Sequence, residues 1–94
     1  MEKVYVVKEM MMLNTHIKSI HKSRDKAHER MMKYAEEHVA LGLERGGQFV
    51  IEPDEYDEDT INVRFKDYTS DLGREIGVYD YQSVYYIQEY EVED

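Results

Sequence analysis

The stretch Val84-Tyr85-Tyr86-Ile87-Gln88-Glu89-Tyr90-Glu91-Val92 decides the fold class of this chain. It is rich in β-branched and aromatic residues, which suit a pleated surface. Side chains alternate faces along a strand. Val84, Tyr86, Gln88, Tyr90 and Val92 therefore point one way, and Tyr85, Ile87, Glu89 and Glu91 the other. Further strands are legible upstream. Val4-Tyr5-Val6-Val7 is a short β-branched and aromatic run, continued by the apolar Met10-Met11-Met12-Leu13. Asn14-Thr15 offers a turn, after which residues 16–21 are ambiguous: Ile17 and Ile20 lie three apart, as on a helix, but the return leg of a hairpin is favoured. Gln48 to Glu52 reads as a strand broken by Pro53. Thr60 to Lys66 alternates Ile61, Val63 and Phe65 against Asn62, Arg64 and Lys66, the pattern of a half-buried strand.

Between these strands the period changes. Ala27, Met31, Tyr34, Ala35, Val39 and Leu43 recur at helical spacing, which predicts one amphipathic helix over 24–44. Ser23 is its N-cap and Asp25 sits in the first turn, where the helix dipole favours an anion. Gly46-Gly47 stops it. Asp67 to Gly73 carries turn residues, and from Glu75 the chain is again rich in Val, Ile and Tyr. The expected fold class is α+β, a mostly antiparallel sheet with one long helix packed on one face. Its 94 residues form a single domain over 1–94, because neither half alone buries a core.

Composition narrows the function. There is no cysteine, which excludes disulfides, thiolate metal sites and cysteine nucleophiles. No apolar run approaches membrane-spanning length, and the amino terminus lacks a charged leader followed by an apolar stretch. A soluble, intracellular protein is expected. The net charge of −9 repels nucleic acid and membrane surfaces and attracts basic partners. That charge is unevenly placed. Residues 1–47 hold nine Lys/Arg and seven Asp/Glu, a net of +2, whereas residues 48–94 hold three and fourteen, a net of −11. All four histidines fall in the first half and seven of nine tyrosines in the second. One fold presenting an acidic, tyrosine-rich face is implied.

Two segments carry most of this acidity. In Glu52-Pro53-Asp54-Glu55-Tyr56-Asp57-Glu58-Asp59, six of eight residues are carboxylates. A solvated loop is the plainest reading. A calcium loop of the EF-hand kind fails, because neither Asp54 nor Asp57 as first ligand puts glycine sixth and glutamate twelfth. The other segment is the carboxy-terminal row Glu89, Glu91 and Glu93, extended by Asp94. Alternate residues of a strand lie about 6.6–6.8 Å apart on one face, comparable to neighbouring phosphates on a DNA strand. Carboxylates so spaced compete for the Lys and Arg groups that otherwise neutralise phosphates, and the cluster from Asp54 to Asp59 is expected to supply a second such row. The candidate partner-binding residues are Asp54, Glu55, Asp57, Glu58, Asp59, Glu89, Tyr90, Glu91, Glu93 and Asp94. Of the clustered tyrosines Tyr79, Tyr81, Tyr85, Tyr86 and Tyr90, half are expected in the sheet packing and the rest at an interface.

Catalytic constellations are wanting. His16, His21, His28 and His38 offer no i, i+4 pair, and His28-Glu29-Arg30-Met31-Met32 lacks the second histidine of a zinc-protease motif. No serine sits in a glycine-flanked elbow. No catalytic residue, metal ligand or cofactor is assigned, and a non-enzymatic protein is expected. Lys22, Lys26, Arg30 and Lys33 form a basic stripe on the helix, read as a solvated face with pairs such as Glu29–Lys33. The acidic half of a second copy would complement this stripe, so a homodimer stays open.

The run from Glu52 to Asp59 and the tail Tyr85-Tyr86-Ile87-Gln88-Glu89-Tyr90-Glu91-Val92-Glu93-Asp94 together resemble one type of protein. It is the small, acidic, cysteine-free proteins that bacteriophages make early in infection to occupy a host protein's nucleic-acid site. The chain is most similar to the acidic host-takeover proteins of large Bacillus phages, which include an inhibitor of the histone-like nucleoid protein HU. The resemblance is one of type, without a diagnostic motif. It implies a DNA mimic whose acidic rows on the sheet edge engage a basic DNA-binding host protein such as HU. The open alternatives are an inhibitor of a nuclease-type defence system, whose channel is equally basic, and a small soluble domain without mimicry. The entry into the helix, Lys22-Ser23-Arg24-Asp25-Lys26-Ala27, together with Val4-Tyr5-Val6-Val7, is also similar to small hairpin-plus-helix domains of phages and bacteria.

Overall fold

The computed structural model describes residues 2–11, 14–44, 49–65 and 81–93. Its elements follow the chain as β1 (Glu2–Met11), β2 (Asn14–His21), α1 (Arg24–Glu44), β3 (Phe49–Pro53), β4 (Thr60–Phe65) and β5 (Tyr81–Val92). The strands form one antiparallel sheet in the order β2-β1-β5-β4-β3. The helix packs on one side of it, so the α+β architecture is as expected.

Register explains which side chains the helix covers. Val7 lies opposite Ile87, Tyr85 opposite Ile61, and Ile51 opposite Val63. These odd-numbered residues share one face and pack with Ala27, Met31 and Ala35 of α1 in a single cluster. The three helix residues are spaced i, i+4, i+8, a stripe whose small outer members bring the helix backbone close to the sheet while Met31 fills the middle. At the start of α1, the Ala27 amide donates to the Ser23 carbonyl, and the Lys26 amide to the Ser23 hydroxyl at 3.4 Å, the expected N-cap.

Two details depart from the sequence expectations, while residues 16–21 are the favoured return leg of a hairpin. Asn14 pairs with Met11 and Thr15 with Met10, so both belong to β2 and not to the turn. The ambiguity at Ile17 and Ile20 has a specific cause. The β1–β2 register slips at Val7/Lys8: Val7 faces Ser19 while Lys8 faces Ile17, which leaves Lys18 as an extra residue. Two residues three apart in a regular strand point to opposite faces. The bulge puts both isoleucines on the same one. The other departure is the place of the acidic tail, since β5 is the middle strand of five and not an edge. Pro53 does end an edge strand, β3, where its missing N–H costs no ladder bond. The expected helix stop at Gly46-Gly47, the turn at 67–73, Tyr79 and Asp94 lie outside the described residues.

Candidate functional site

The two acidic segments, about thirty residues apart in sequence, meet at one end of the sheet. Thr60 of β4 faces Tyr86 of β5, so β5 runs on past the start of β4. The 54–59 turn occupies the space beside it, tied there by the Ile87 amide donating to the Asp59 carbonyl at 3.0 Å. On its other side β5 continues to pair with β1 as far as Glu2–Val92, whereas β2 ends opposite Tyr5. Residues 2–4 and 90–92 therefore project as a two-stranded ribbon, and the molecule is elongated at 52 × 25 × 22 Å.

The carboxylates of the turn do not form the second row expected of them. Asp54 Oδ1 accepts from the amides of Tyr56 and Asp57, and Asp57 accepts from the Asp59 amide and the Thr60 hydroxyl. These two acids are consumed in building the turn, because Asp side chains satisfy backbone donors that a tight reversal leaves unpaired. Asp59 takes three bonds from the Arg24 guanidinium, at 2.7 and 2.8 Å from one terminal nitrogen and 3.0 Å from Nε, and lies 2.7 Å from the His28 ring. Arg24 also reaches Glu58 at 2.9 Å. Burial alone would raise the Asp59 carboxyl, yet the bonds from Arg24 and His28, with their charges, hold it below the ordinary carboxylate range. Glu52 is paired with Arg64 across β3 and β4. Of the predicted loop residues, Glu55 alone makes no ion pair or side-chain hydrogen bond among the described residues, and Glu58 remains mostly exposed beside Arg24.

The tail behaves differently. Glu89 and Glu91 share the helix-side face of β5, and both are exposed because α1 begins short of the ribbon. Glu93 follows, exposed, after the strand ends. Lys3 of β1 meets Glu89 at 3.7 Å, an exposed pair that salt screens readily. Tyr90, expected to flank these acids on the partner-binding surface, stands on the opposite face, where its hydroxyl accepts from Lys8 at 2.6 Å and donates to Gln88. Tyr86 shares that face. Alternation along β5 puts the carboxylates and these tyrosines on opposite sides of one sheet. Among the described residues, the tyrosine that stands among carboxylates is Tyr56, 92% exposed at the turn.

A second cluster went unread in the sequence. The carboxylate of Glu9, itself buried, accepts from the Ser83 hydroxyl at 3.0 Å and lies 3.8 Å from Lys18 and 3.6 Å from His38 Nδ1. That nitrogen is also 3.0 Å from the Tyr85 hydroxyl. Glu9, Lys18, His38 and Tyr85 line a cavity of about 530 Å³ between α1 and the sheet, walled also by Met11, Tyr34, Leu41 and Phe49. Burial lowers the His38 ring below its ordinary range, only partly opposed by Glu9, which leaves it neutral at pH 7. Burial and then the Glu9 carboxylate push the Tyr85 hydroxyl upward, so it stays protonated. Every polar group named has a partner, so the network closes on itself and holds the helix to the strands. Strand alternation alone signalled it: Glu9 is in phase with Tyr5 and Val7, an acid in a core-facing row.

Among the described residues no group of three or more His, Asp or Glu side chains is placed to hold a metal ion, and no helix is long and apolar enough to cross a membrane. Compared with protein-family models, curated proteins and solved structures, the chain gives no match.

Proposed function

We propose that this protein is a non-enzymatic inhibitor that imitates a nucleic-acid backbone and occupies the basic nucleic-acid-binding surface of a host protein. The histone-like nucleoid protein HU is the first candidate. One observation carries the reading: Glu55, Glu58, Glu89, Glu91 and Glu93 are gathered, solvent-facing, at one end of the sheet, on a turn and a projecting ribbon. Glu89 and Glu91 stand on a paired strand, which fixes their spacing near that of phosphates, and Glu93 follows just past its end. The turn is braced by its own Asp54 and Asp57 and clamped by Arg24. In this reading Glu55 and Glu58 carry the turn's part of the binding surface, and the tail acids carry its main part. Fixed charge of this kind steers a basic groove at long range and makes association fast and salt-sensitive.

The test is a gel-shift competition in which the protein displaces DNA from HU across a salt series. Glu89→Lys, Glu91→Lys and Glu93→Lys together should abolish displacement at moderate salt while the circular dichroism stays unchanged, since all three side chains are exposed. Displacement by the triple variant equal to that of the parent would remove the tail from the mechanism. A parent protein that displaces nothing at low salt would remove HU as the partner.

A further inference from the structure

We infer that the helix-free face of the sheet is the docking surface for a second copy of this chain. An antiparallel sheet with one solvated face normally alternates apolar inward and polar outward. This sheet does not. Met10, Ile17, Ile20, Tyr90 and Val92, with the buried Val6 among them, stand on the side away from α1, as alternation along β1 and β5 and the pairings Val6–Ile20 and Lys8–Ile17 require. Ile17 and Ile20 are 65% and 62% exposed. The bulge at Lys18 is what directs both of them there, and it turns Lys18 itself to the helix side beside Glu9. Bulges re-aim side chains at a cost in ladder pairing. Spending one to present two isoleucines to water makes no sense for a face that stays wet.

Charge identifies the occupant. Among the described residues this face carries Glu2 and Lys8 on β1 and the paired Glu52 and Arg64 on β3 and β4, a net of zero on a chain of −9. It is the side on which two like-charged copies approach without repulsion, and it offers little to a basic partner. Lys8 is held by Gln88 and Tyr90 and has no carboxylate partner among the described residues. A two-fold axis crossing β1 at the level of Tyr5 sets Lys8 of each copy over Glu2 of the other. Size also fits. Five strands at about 4.8 Å and nine paired rows of β1 and β5 at about 3.4 Å give a face of roughly 700 Å². A stable interface buries about 800 Å² per partner. The helix stripe is not needed for this contact: Lys26 pairs with Glu29, and Arg30 stacks on Tyr34.

Sedimentation equilibrium of the full chain tests the inference independently of any DNA-binding partner. The parent should show twice the chain mass at micromolar concentration. Ile17→Asp with Ile20→Asp should raise the dissociation constant by roughly 100-fold or more, with unchanged circular dichroism. Leu43→Asp, exposed on α1, should leave the dimer intact. A monomeric parent at high micromolar concentration, or dissociation by Leu43→Asp and not by the isoleucine pair, overturns it. As a second measurement, the chain has no cysteine of its own. A short bis-maleimide should therefore link copies carrying Gln88→Cys and not copies carrying Leu43→Cys, and the opposite result refutes the face.

Discussion

Replacing Glu9 by alanine tests whether the buried polar cluster holds the fold or merely lines a cavity. The carboxylate is the acceptor for Ser83, whose side chain is among the most buried in the protein. Its loss leaves that hydroxyl without a partner, at about 1–3 kcal/mol. Removing the side-chain methylenes beside the core adds about 1 kcal/mol. Lys18 is a third exposed and 3.8 Å away, so its part is at most a few tenths. The expected cost of Glu9→Ala is thus about 3 kcal/mol, against a total of roughly 5–14 kcal/mol for a chain of this length. Glu9→Gln keeps an acceptor and should cost about 1 kcal/mol. Urea unfolding measures each through the shift in midpoint at constant slope. The decisive quantity is the coupling with Ser83→Ala. If the hydroxyl is destabilising only because it is stranded, the double variant should cost at least 1 kcal/mol less than the sum of the singles. Strict additivity, or a cost below 1 kcal/mol for Glu9→Ala, would refute the account of this cluster as a closed structural network.

Two further outcomes follow from the same region. Gly42→Ala should destabilise the protein by about 1–2 kcal/mol, although alanine is the better helix former by about 1 kcal/mol. A Cβ at this position collides with the Phe49 ring, which also packs edge-on against His38; a stabilised variant in thermal melts would contradict the packing. His38, faced by Glu9 from β1, Lys18 from β2, Tyr85 from β5 and Glu37 on its own helix, gives the pH dependence a definite sign. Its folded-state pKa is lowered, so below about pH 6.5 the unfolded chain takes up a proton that the folded ring resists. Stability should fall between pH 7 and 5 more steeply in the parent than in His38→Gln, and equal slopes in pH-dependent urea titrations would show that the ring is not buried as described.

The comparison of sequence and structure turns on what periodicity carries. Local repetition gave the bounds of α1 and its buried stripe Ala27, Met31 and Ala35 without reference to the rest of the chain, although Leu43, in phase with that stripe, is exposed at the helix end. It fixed the phase of β5 as well, including the shared face of Glu89 and Glu91. Composition fixed the acidity of the second half and the absence of thiol chemistry. Strand order was beyond its reach, because hydrogen-bond partners leave no mark on a period of two. The tail therefore read as an edge when it is the middle strand. The acids of the 54–59 run read as a surface row for a similar reason. Whether a carboxylate faces solvent or caps its own backbone depends on the turn it builds and on Arg24, thirty-five positions before Asp59. Glu9, His38, Ser83 and Tyr85 come from β1, α1 and β5, so only the packed helix could assemble them. The bulge at Lys18 is the last case: the spacing of Ile17 and Ile20 contradicts a regular strand, and only pairing with β1 resolves it. Pattern along the chain sets which residues share a face. Contacts between distant segments decide what that face meets.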